Sequence, residues 1–300
     1  MNVLLTGRTG FIGKVVEKQL ICLGFKVYSL EDLCNLKRVD ITSEFNFMSF
    51  VDIDIVVHVA GYINPDGLVE GNEHFNNVNF RGSKNLCNAL DNVGFKPKVF
   101  IFLSSVAVYG TPNCEFISEE NPRLGKSPYA LSKILAEDFL KDWSEVSKVD
   151  LVVLRLPLVV GMNPNGNLKK MINAIKNNYY FRISNNKARK SVIWVEDIAS
   201  VIPLLINHPG IYNLTDSMHP TLWEIEEVFA KILKKRIWTL PHYLAVFLAK
   251  IGDILPVRFP LNSKKLEKLE RTLIFDNSKI INTINWWPKD VIDEVCQCTF

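Results

Sequence analysis

The sequence predicts an α/β protein built on a doubly wound parallel sheet, with a smaller, helix-rich C-terminal lobe. Three observations predict it. Short apolar runs alternate with amphipathic stretches through the first half of the chain, which is the pattern of strands joined by crossover helices. The run at residues 54–60 is continuously apolar, as expected for a strand covered on both faces. A glycine-rich turn follows the first run and opens the first amphipathic stretch.

The elements of the first half follow from these periodicities in order. Apolar runs predict strands at residues 2–6, 25–30, 54–60, 98–104 and 150–156. Asp40 and Ile41 are predicted to end a further short strand. Helical spacing predicts helices at residues 11–23, 78–93 and 128–146.

The pattern changes after Pro157. Residues 163–167 form a turn-rich segment, and helices are predicted at 168–177, 195–207, 221–234 and 244–253. Short strands are expected at 190–194 and 210–214. We therefore expect a first domain over residues 1–160 and a second lobe over residues 161–300, some segments of which rejoin the sheet.

Composition and charge exclude several classes of protein. Of the 300 residues, 22% are charged and 48% are hydrophobic, which excludes a disordered chain. The net charge is +3 and no basic block stands out, so nucleic-acid binding is not expected. The N-terminus does not resemble a signal peptide, and the apolar segment at residues 244–255 is too short to span a bilayer. We expect that segment to be a buried or subunit-contact helix.

The six cysteines are scattered and contain no Cys-x-x-Cys pair. This spacing favours neither a disulfide framework nor a metal site, and no metal is predicted. Reduced, mostly buried thiols are expected, which fits a cytoplasmic location.

The segment from Thr6 to Gly13 has the chemistry of a phosphate-binding turn. Gly7 permits a tight turn, Gly10 allows close approach of a pyrophosphate, and Gly13 allows the helix to pack against the strand. The N-terminus of the following helix offers free N–H groups to the phosphates. The spacing Gly-x-x-Gly-x-x-Gly in this context predicts a dinucleotide site in a Rossmann-type fold, with an ordinary βα turn as the alternative.

Acidic residues after the second predicted strand bear on the choice of cofactor. Glu31 and Asp32 could accept hydrogen bonds from the adenosine ribose, which favours NAD over NADP. A solvated loop acid is the alternative. Arg8 could pair with a 2′-phosphate, so NADP stays possible. Asp40 and Ile41 are placed to touch the adenine.

A serine, a tyrosine and a lysine are the candidate catalytic residues. Ser105 follows a buried strand, where ligands of doubly wound sheets sit, although it could instead cap its own turn. Tyr129 and Lys133 are four residues apart on a predicted helix, so they share a face. A nearby ammonium and an oxidised nicotinamide would lower the pKa of the phenol, which could then exchange a proton with a sugar hydroxyl. The Ser105 hydroxyl would hold the same oxygen.

These motifs together resemble the extended short-chain dehydrogenase/reductase family, in its NAD-dependent epimerase/dehydratase branch. The resemblance extends over almost the whole chain and includes Thr6–Gly13, His58–Gly61, Val78–Leu86, Ser105–Gly110, Tyr129 with Lys133, Arg155–Pro157 and Trp194–Ala199. It implies a Ser105–Tyr129–Lys133 triad. It also implies cofactor contacts from Gly7, Thr9, Gly10, Phe11, Ile12, Gly13, Glu31, Asp40, Ile41, Val59, Ala60, Asn79, Tyr129, Lys133 and Pro157.

The C-terminal lobe narrows the resemblance to bacterial nucleotide-sugar enzymes of surface-polysaccharide synthesis, namely UDP-hexose or UDP-N-acetylhexosamine 4-epimerases and 4-keto-sugar reductases. It implies substrate contacts from Ser105, Asn167 and Arg189, the arginine near a pyrophosphate. Arg189 could instead be a surface charge and Asn167 a helix N-cap. Val106 and Ala107 stand where 4,6-dehydratases carry an acidic pair, which argues against dehydration.

Three functional hypotheses follow. The first is an oxidoreductase that acts at C4 of a UDP-sugar with NAD, or with NADP as the alternative cofactor. The second is a reductase of hydroxysteroid-type or flavonoid-type ketones, against which the Arg189 segment argues. The third is a non-catalytic cofactor-binding sensor, although such proteins commonly lack the tyrosine or the lysine. The resemblance also implies a homodimer formed through helices at residues 81–93 and 128–146.

Overall fold

The structure, a computed structural model, describes residues 1–49, 51–63, 72–110, 116–254 and 261–298. Its centre is a six-stranded, wholly parallel sheet with the strand order β2-β1-β3-β4-β5-β9. The strands are β1 (Asn2–Thr6), β2 (Lys26–Tyr28), β3 (Ile55–His58), β4 (Val99–Ser105), β5 (Asp150–Leu156) and β9 (Gly210–Asn213). The predicted Rossmann-like sheet is therefore confirmed.

Helices cover both faces of this sheet. Along β1, Val3 and Leu5 face one apolar layer and Leu4 faces the other, and all three are fully buried. The first layer holds α1 (Phe11–Cys22) and α7 (Val195–Val201). The second layer holds α4 (Gly82–Asn92), α5 (Pro128–Ser147) and the short α2 (Leu30–Cys34). Burial on both faces explains why these strands are continuously apolar in sequence.

The segment after β2 differs from its prediction. The strand expected at residues 25–30 ends at Tyr28, and Ser29 caps α2 through a capping box with Asp32. Glu31 therefore lies in the first turn of a helix. The short strand expected to end at Asp40 and Ile41 is wrong, because those residues lie in irregular backbone where Asp40 accepts hydrogen bonds from Thr42.

The helix predicted at residues 78–93 is longer and is interrupted. It begins as α3 (Asn72–Phe75), continues as a π-helical segment at Asn76–Arg81, and becomes α4 at Gly82. The π-helical turns place Asn79 in the interior, where it is buried. Such turns often lie at functional sites.

The C-terminal residues add a lobe made of two small parallel strand pairs and several helices. β6 (Leu158–Val160) pairs with β8 (Val192–Trp194), and this pair packs against α6 (Gly166–Lys176), α8 (Leu222–Ile232) and α12 (Val291–Cys296). β7 (Phe181–Ile183) pairs with β10 (Trp238–Leu240), beside α9 (His242–Ile254) and α10 (Ser263–Glu270). α11 (Ser278–Ile284) lies against β9. The domain division at residue 160 stays a prediction.

The structure bears on the expectations about the cysteines, a metal site and a membrane-spanning helix. Of the described cysteines, Cys34 and Cys87 are buried, whereas Cys22 and Cys296 are exposed, so the expectation of mostly buried thiols is wrong there. Cys114 lies outside the described residues. Among the residues that the structure describes, no group of three or more His, Cys, Asp and Glu side chains could hold a metal ion. In the same residues, every helix is too short or too polar to cross a bilayer.

Candidate active site

The turn after β1 leaves a cradle of exposed backbone. Gly7 has a φ of +70°, and a Cβ there would lie 2.7 Å from the Ala60 nitrogen. A Cβ on Gly13 would collide with the Gly7 carbonyl oxygen. Helix α1 begins at Phe11 after Gly10, which has no side chain to cap it, so its N–H groups stay available for an anion. These contacts require glycine at positions 7 and 13.

A cleft of about 670 Å³ opens beside this turn. It lies at the carboxyl ends of the central strands, where open α/β sheets bind ligands. Residues from both halves of the chain line it: Gly7, Thr9, Gly10, Phe11, Ile12, Val59, Ala60, Gly61, Tyr62, Ile63, Phe75, Leu103, Ser104, Ser105, Tyr129, Lys133, Leu156, Pro157, Leu158, Val159, Asn165, Gly166 and Asn167.

A buried polar network supports the wall of the cleft after β3. The two ring nitrogens of His58 lie 2.7 Å from Thr6 Oγ1 and 2.9 Å from Ser83 Oγ. Burial lowers the pKa of His58 to about 3, so the ring is neutral and serves as a hydrogen-bonded support. Asn79 accepts a hydrogen bond from the Tyr62 backbone N–H and donates to Ser132 Oγ at 2.9 Å. Both side chains thus fix the backbone that lines the cleft.

Ser105 and Tyr129 meet at the cleft. The Ser105 Oγ accepts a hydrogen bond from the Ala107 N–H at 3.2 Å, which directs its own proton elsewhere. Tyr129 lines the same cleft, and the nearby Ser105 hydroxyl opposes the rise that burial causes in the pKa of the phenol. Ser127 caps α5 by accepting from the Ala130 N–H, and Pro128 occupies the first helical position, so Tyr129 projects from the first turn.

Lys133 lies one turn further along α5 and is 4% exposed. Its ammonium donates to the Leu103 carbonyl oxygen at 2.8 Å and lies 4.6 Å from the centre of the Phe102 ring. A Cβ on Gly61 would come within 3.2 Å of the ammonium, so the lysine reaches the opposite wall of the cleft. Burial lowers the pKa of Lys133 to about 8, and the Glu137 carboxylate opposes that shift.

The predicted lowering of the Tyr129 pKa by Lys133 is wrong for this structure. Burial raises the pKa of the phenol, and the hydrogen bond from Ser105 is the effect that opposes it. The Lys133 ammonium is directed at the Leu103 carbonyl. The resting phenol is therefore protonated at neutral pH, and further positive charge beside it would be needed to favour the phenolate.

A buried ion pair lies on the same face of α5, beneath the triad. Glu137 is 3% exposed and accepts hydrogen bonds from Arg155 Nε at 3.1 Å and Arg155 Nη2 at 2.7 Å. It also accepts from the Ser104 hydroxyl at 2.5 Å. Arg155 donates onward to the Tyr109 hydroxyl at 2.8 Å, which donates to Asn213. The carboxylate therefore joins α5 to the ends of β4 and β5.

Most predicted site residues line the cleft. They are Gly7, Thr9, Gly10, Phe11, Ile12, Val59, Ala60, Ser105, Tyr129, Lys133, Pro157 and Asn167. Gly13 and Asn79 lie behind its wall, where they shape the turn and hold the backbone. Glu31, Asp40 and Ile41 are not among the described lining residues, so their contacts with a cofactor stay predictions.

Asp32 has a defined partner in the glycine turn. Arg8 Nη1 lies 3.4 Å from its carboxylate, and Arg8 Nη2 lies 3.1 Å from Glu17. Asp32 also completes the capping box of α2. The guanidinium that could meet a 2′-phosphate is therefore already neutralised by two acids, which is consistent with the predicted preference for NAD.

The two predicted substrate residues are placed differently. Asn167 lines the cleft from the start of α6. Arg189 lies outside the described lining, and its guanidinium donates to the backbone carbonyls of Met218 at 2.6 Å and His219 at 3.0 Å. The arginine holds its own lobe together in this arrangement, so a pyrophosphate contact stays a prediction.

Comparison with known proteins identifies the family. The model of the NAD-dependent epimerase/dehydratase family matches residues 3–215, which is more than half of the chain. The chain belongs to this family. A UDP-glucose 4-epimerase of Vibrio cholerae is 26% identical over 314 residues, with 98% of this chain and 92% of the relative covered. A dTDP-D-glucose 4,6-dehydratase of Mus musculus is 25% identical over 318 residues, with 96% of this chain and 89% of the relative covered.

The fold is shared with solved structures. A protein named RMD from Pseudomonas aeruginosa, solved in complex with NADPH, superposes with a TM-score of 0.77 at 19% identity, with 100% of this chain and 98% of that chain covered. The predicted nicotinamide cofactor is confirmed by the family itself, which is NAD-dependent. The uncapped α1 N-terminus and the space that a Cβ would fill at Gly7 fit its pyrophosphate.

The sequence analysis did not single out Glu137, the buried carboxylate beneath the candidate triad. Glu137 follows Lys133 by four residues and Tyr129 by eight, so the three lie on one helical face. A carboxylate on the buried face of an amphipathic helix was the available signal, because such groups are rarely buried without partners. Its partners Ser104 and Arg155 are distant in sequence and appear only in the fold.

Proposed function

We propose that this protein is an NAD(P)-dependent oxidoreductase acting at C4 of a UDP-sugar, as a 4-epimerase or a 4-keto-sugar reductase. The observation that carries the proposal is that Ser105, Tyr129 and Lys133 line one cleft together with the glycine turn. The Vibrio cholerae relative, aligned over 98% of this chain, supports the choice of substrate class. Precursor synthesis for surface polysaccharides in the cytoplasm is part of the proposal.

Each residue of the proposed triad has one role. Tyr129 exchanges a proton with the C4 oxygen of the sugar, and Ser105 donates a hydrogen bond to that oxygen. Lys133 binds the nicotinamide ribose from the opposite wall. An oxidised nicotinamide supplies, when bound, a hydride acceptor and a positive charge that favours the phenolate.

The other residues position the ligands. The backbone N–H groups that begin α1 bind the cofactor pyrophosphate, and Val59, Ala60 and Pro157 form the walls beside it. Asn167 binds the sugar from the C-terminal lobe. A dehydratase is disfavoured because Val106 and Ala107 offer no acid or base beside Ser105, although the mouse relative is named a 4,6-dehydratase.

The test begins with the purified protein. It is denatured, the released nucleotide is identified, and UDP-hexoses and UDP-N-acetylhexosamines are then assayed for interconversion. The proposal expects NAD or NADP to bind and at least one UDP-sugar to change configuration or oxidation state at C4. Retention of NAD through purification would favour the epimerase, whereas reduction that consumes external NAD(P)H would favour the reductase. Failure of all these sugars to react would overturn the substrate class.

A reductase of apolar ketones is the second candidate. The observation that favours it is the Arg189 side chain, which is engaged by backbone carbonyls of its own lobe. Several apolar residues also line the cleft: Ile63, Phe75, Leu103, Leu156, Leu158 and Val159. Thermal unfolding with UDP and with an apolar ketone separates the two candidates, because only the bound ligand raises the melting temperature.

A further inference from the structure

Helix α9 exposes three of its large apolar side chains and buries its small ones. Tyr243, Phe247 and Ile254 are 76%, 59% and 88% exposed. Ala245 and Ala249 are almost completely buried against α10. A surface helix ordinarily turns its large apolar residues inward, so the exposure of these three side chains is unusual. The expectation of a buried helix at residues 244–255 is therefore wrong for Phe247 and Ile254, and the alternative of a subunit-contact helix stays a prediction.

The exposed side chains of α9 form one row. Positions 243, 247, 250 and 254 follow each other at helical spacing and share a face. Lys250 occupies the third position of the row and is exposed. A lysine in such a place can lay its alkyl stem on an apolar surface while its ammonium reaches a polar layer.

The neighbouring strand pair continues this apolar exposure. Phe181 and Trp238 are register partners across β7 and β10, and they are 55% and 68% exposed. Strand β10 leads directly into α9, and the His242 N–H at the start of the helix donates to Ser184 Oγ at 3.0 Å. We call Phe181, Trp238, Tyr243, Phe247 and Ile254 the α9 face. Aromatic residues of this kind are enriched where proteins meet the interface of a membrane.

The charge of the same region is strongly positive. Residues 231–271 contain ten Lys and Arg residues against three Asp and Glu residues, a net charge of +7 in a chain whose total is +3. The residues are dispersed, which is why no contiguous basic block stands out in the sequence. Lys264 and Lys268 on α10 are exposed beside α9. The apolar α9 face is thus accompanied by exposed lysines on α9 itself, at Lys250, and on the neighbouring α10, at Lys264 and Lys268.

We propose that the α9 face docks on the surface of an anionic lipid bilayer, with α9 lying in the interface. Apolar side chains on one face of a helix and basic residues around it are the two contributions that hold a helix in such an interface. A second copy of this chain is a poorer occupant, because pairing through this face would bring the same positive charges together.

Flotation of the full-length protein with lipid vesicles tests the proposal. Vesicles of phosphatidylcholine alone are compared with vesicles of phosphatidylcholine mixed with phosphatidylglycerol. We expect binding to the mixed vesicles only, with release at high salt as the charges are screened. Phe247→Ser is expected to lower the partition coefficient about tenfold, since one large apolar side chain is lost from the interface. Lys250→Glu is expected to weaken binding to the mixed vesicles as well.

The matched control is Ile21→Ser, which removes an exposed apolar side chain from α1 and is expected to bind like the wild type. Circular dichroism checks that each variant folds, and Tyr243→Ser replaces Phe247→Ser if the latter unfolds. Absence of binding, or equal binding to both kinds of vesicle, would overturn the proposal. So would light scattering that shows a wild-type oligomer dissociated by Phe247→Ser or Tyr243→Ser, since the face would then join two copies.

Discussion

Glu137 is the residue on which the electrostatics of the proposed triad depend most. Its carboxylate is bound by Arg155 and by the Ser104 hydroxyl, so its own charge is stabilised in the interior. It also raises the pKa of Lys133 against the lowering caused by burial. Since that pKa is about 8, the lysine is an ammonium at neutral pH and loses its proton soon above it.

The first prediction concerns Glu137→Gln. Without the carboxylate, the pKa of Lys133 falls further and the ammonium is lost at lower pH. The activity of the variant is therefore expected to decline at a lower pH than that of the wild type, with the largest deficit near pH 8. A pH–rate profile of kcat measures this shift.

Asp142→Asn is the matched control for Glu137→Gln. Asp142 lies on the same helix as Glu137 and is exposed. Its profile is expected to follow the wild type. Ser104→Ala removes one hydrogen bond from Glu137 but keeps the negative charge of its carboxylate. We therefore expect the decline of kcat at high pH to occur at the same pH as in the wild type. A Glu137→Gln profile parallel to the wild type at every pH would mean that the residue acts only through folding.

Asp216 gives the second prediction. It is fully buried, and its Oδ2 lacks a hydrogen-bond partner in the described part of the chain. Burial raises its pKa to about 7, whereas an unfolded aspartate titrates near 3.8. Between about pH 4 and pH 7, Asp216 is therefore protonated in the folded state and ionised in the unfolded state. Because the folded state binds the extra proton, the free energy of unfolding falls as the pH rises through this range.

Asp216→Asn removes that titration. The gain in melting temperature over the wild type is expected to be larger at pH 8 than at pH 5, and thermal unfolding at both values measures it. Asp276→Asn serves as the control, because that carboxylate accepts hydrogen bonds from Ser278 at the surface. An equal effect of Asp216→Asn at both pH values would refute the assignment.

The site residues that sequence could predict are those with local spacing. Tyr129 and Lys133 lie four residues apart on one helix, and Gly7, Gly10 and Gly13 lie in one turn. Glu137 and Asp216 acquire their properties from burial and from partners such as Arg155, which is distant in sequence. The direction of the pKa shift of Tyr129 was wrongly predicted for a similar reason. The spacing of four residues between Tyr129 and Lys133 does not specify which group the lysine ammonium contacts.

Among elements, long and regular segments were predicted best. β1 and β5 have the predicted bounds, and α1 differs by one residue at its end. The strands β6, β7 and β10 were missed because three residues give no measurable period. The helix predicted at 195–207 ends early, at Val201, and a 3₁₀ turn begins at Pro203, which cannot donate a backbone hydrogen bond.

The junction of β1 and α1 gives the third prediction. Gly13→Ala places a Cβ against the Gly7 carbonyl oxygen and must displace the turn. We expect a loss of about 1–3 kcal/mol of stability, as for other overpacked positions, together with weakened cofactor binding. Thermal unfolding and a cofactor titration measure both effects. Lys14→Ala, which changes an exposed residue of the same helix, is the control. A Gly13→Ala variant that binds the cofactor with normal affinity would contradict the proposed role of this turn in cofactor binding.

At the scale of the whole molecule, the fourth prediction is a homodimer formed through α4 and α5. Leu131 and Leu135 are exposed at i and i+4 on α5, which suits contact with a second copy. Light scattering is expected to show a dimer for the wild type and a monomer for Leu135→Glu. Phe247→Ser, on α9, is expected to stay dimeric. A monomeric wild type would refute this prediction.

The proposed chemistry depends on a Ser105–Tyr129–Lys133 site that exchanges a proton with the substrate beside the cofactor. The most direct test is the turnover of Tyr129→Phe on the UDP-sugar that the wild type converts, measured together with cofactor affinity. Phenylalanine keeps the ring that packs on Phe75 and removes only the hydroxyl that meets Ser105. The account predicts that kcat falls at least about 100-fold while cofactor affinity is kept. A variant that turns over at nearly the wild-type rate would contradict it.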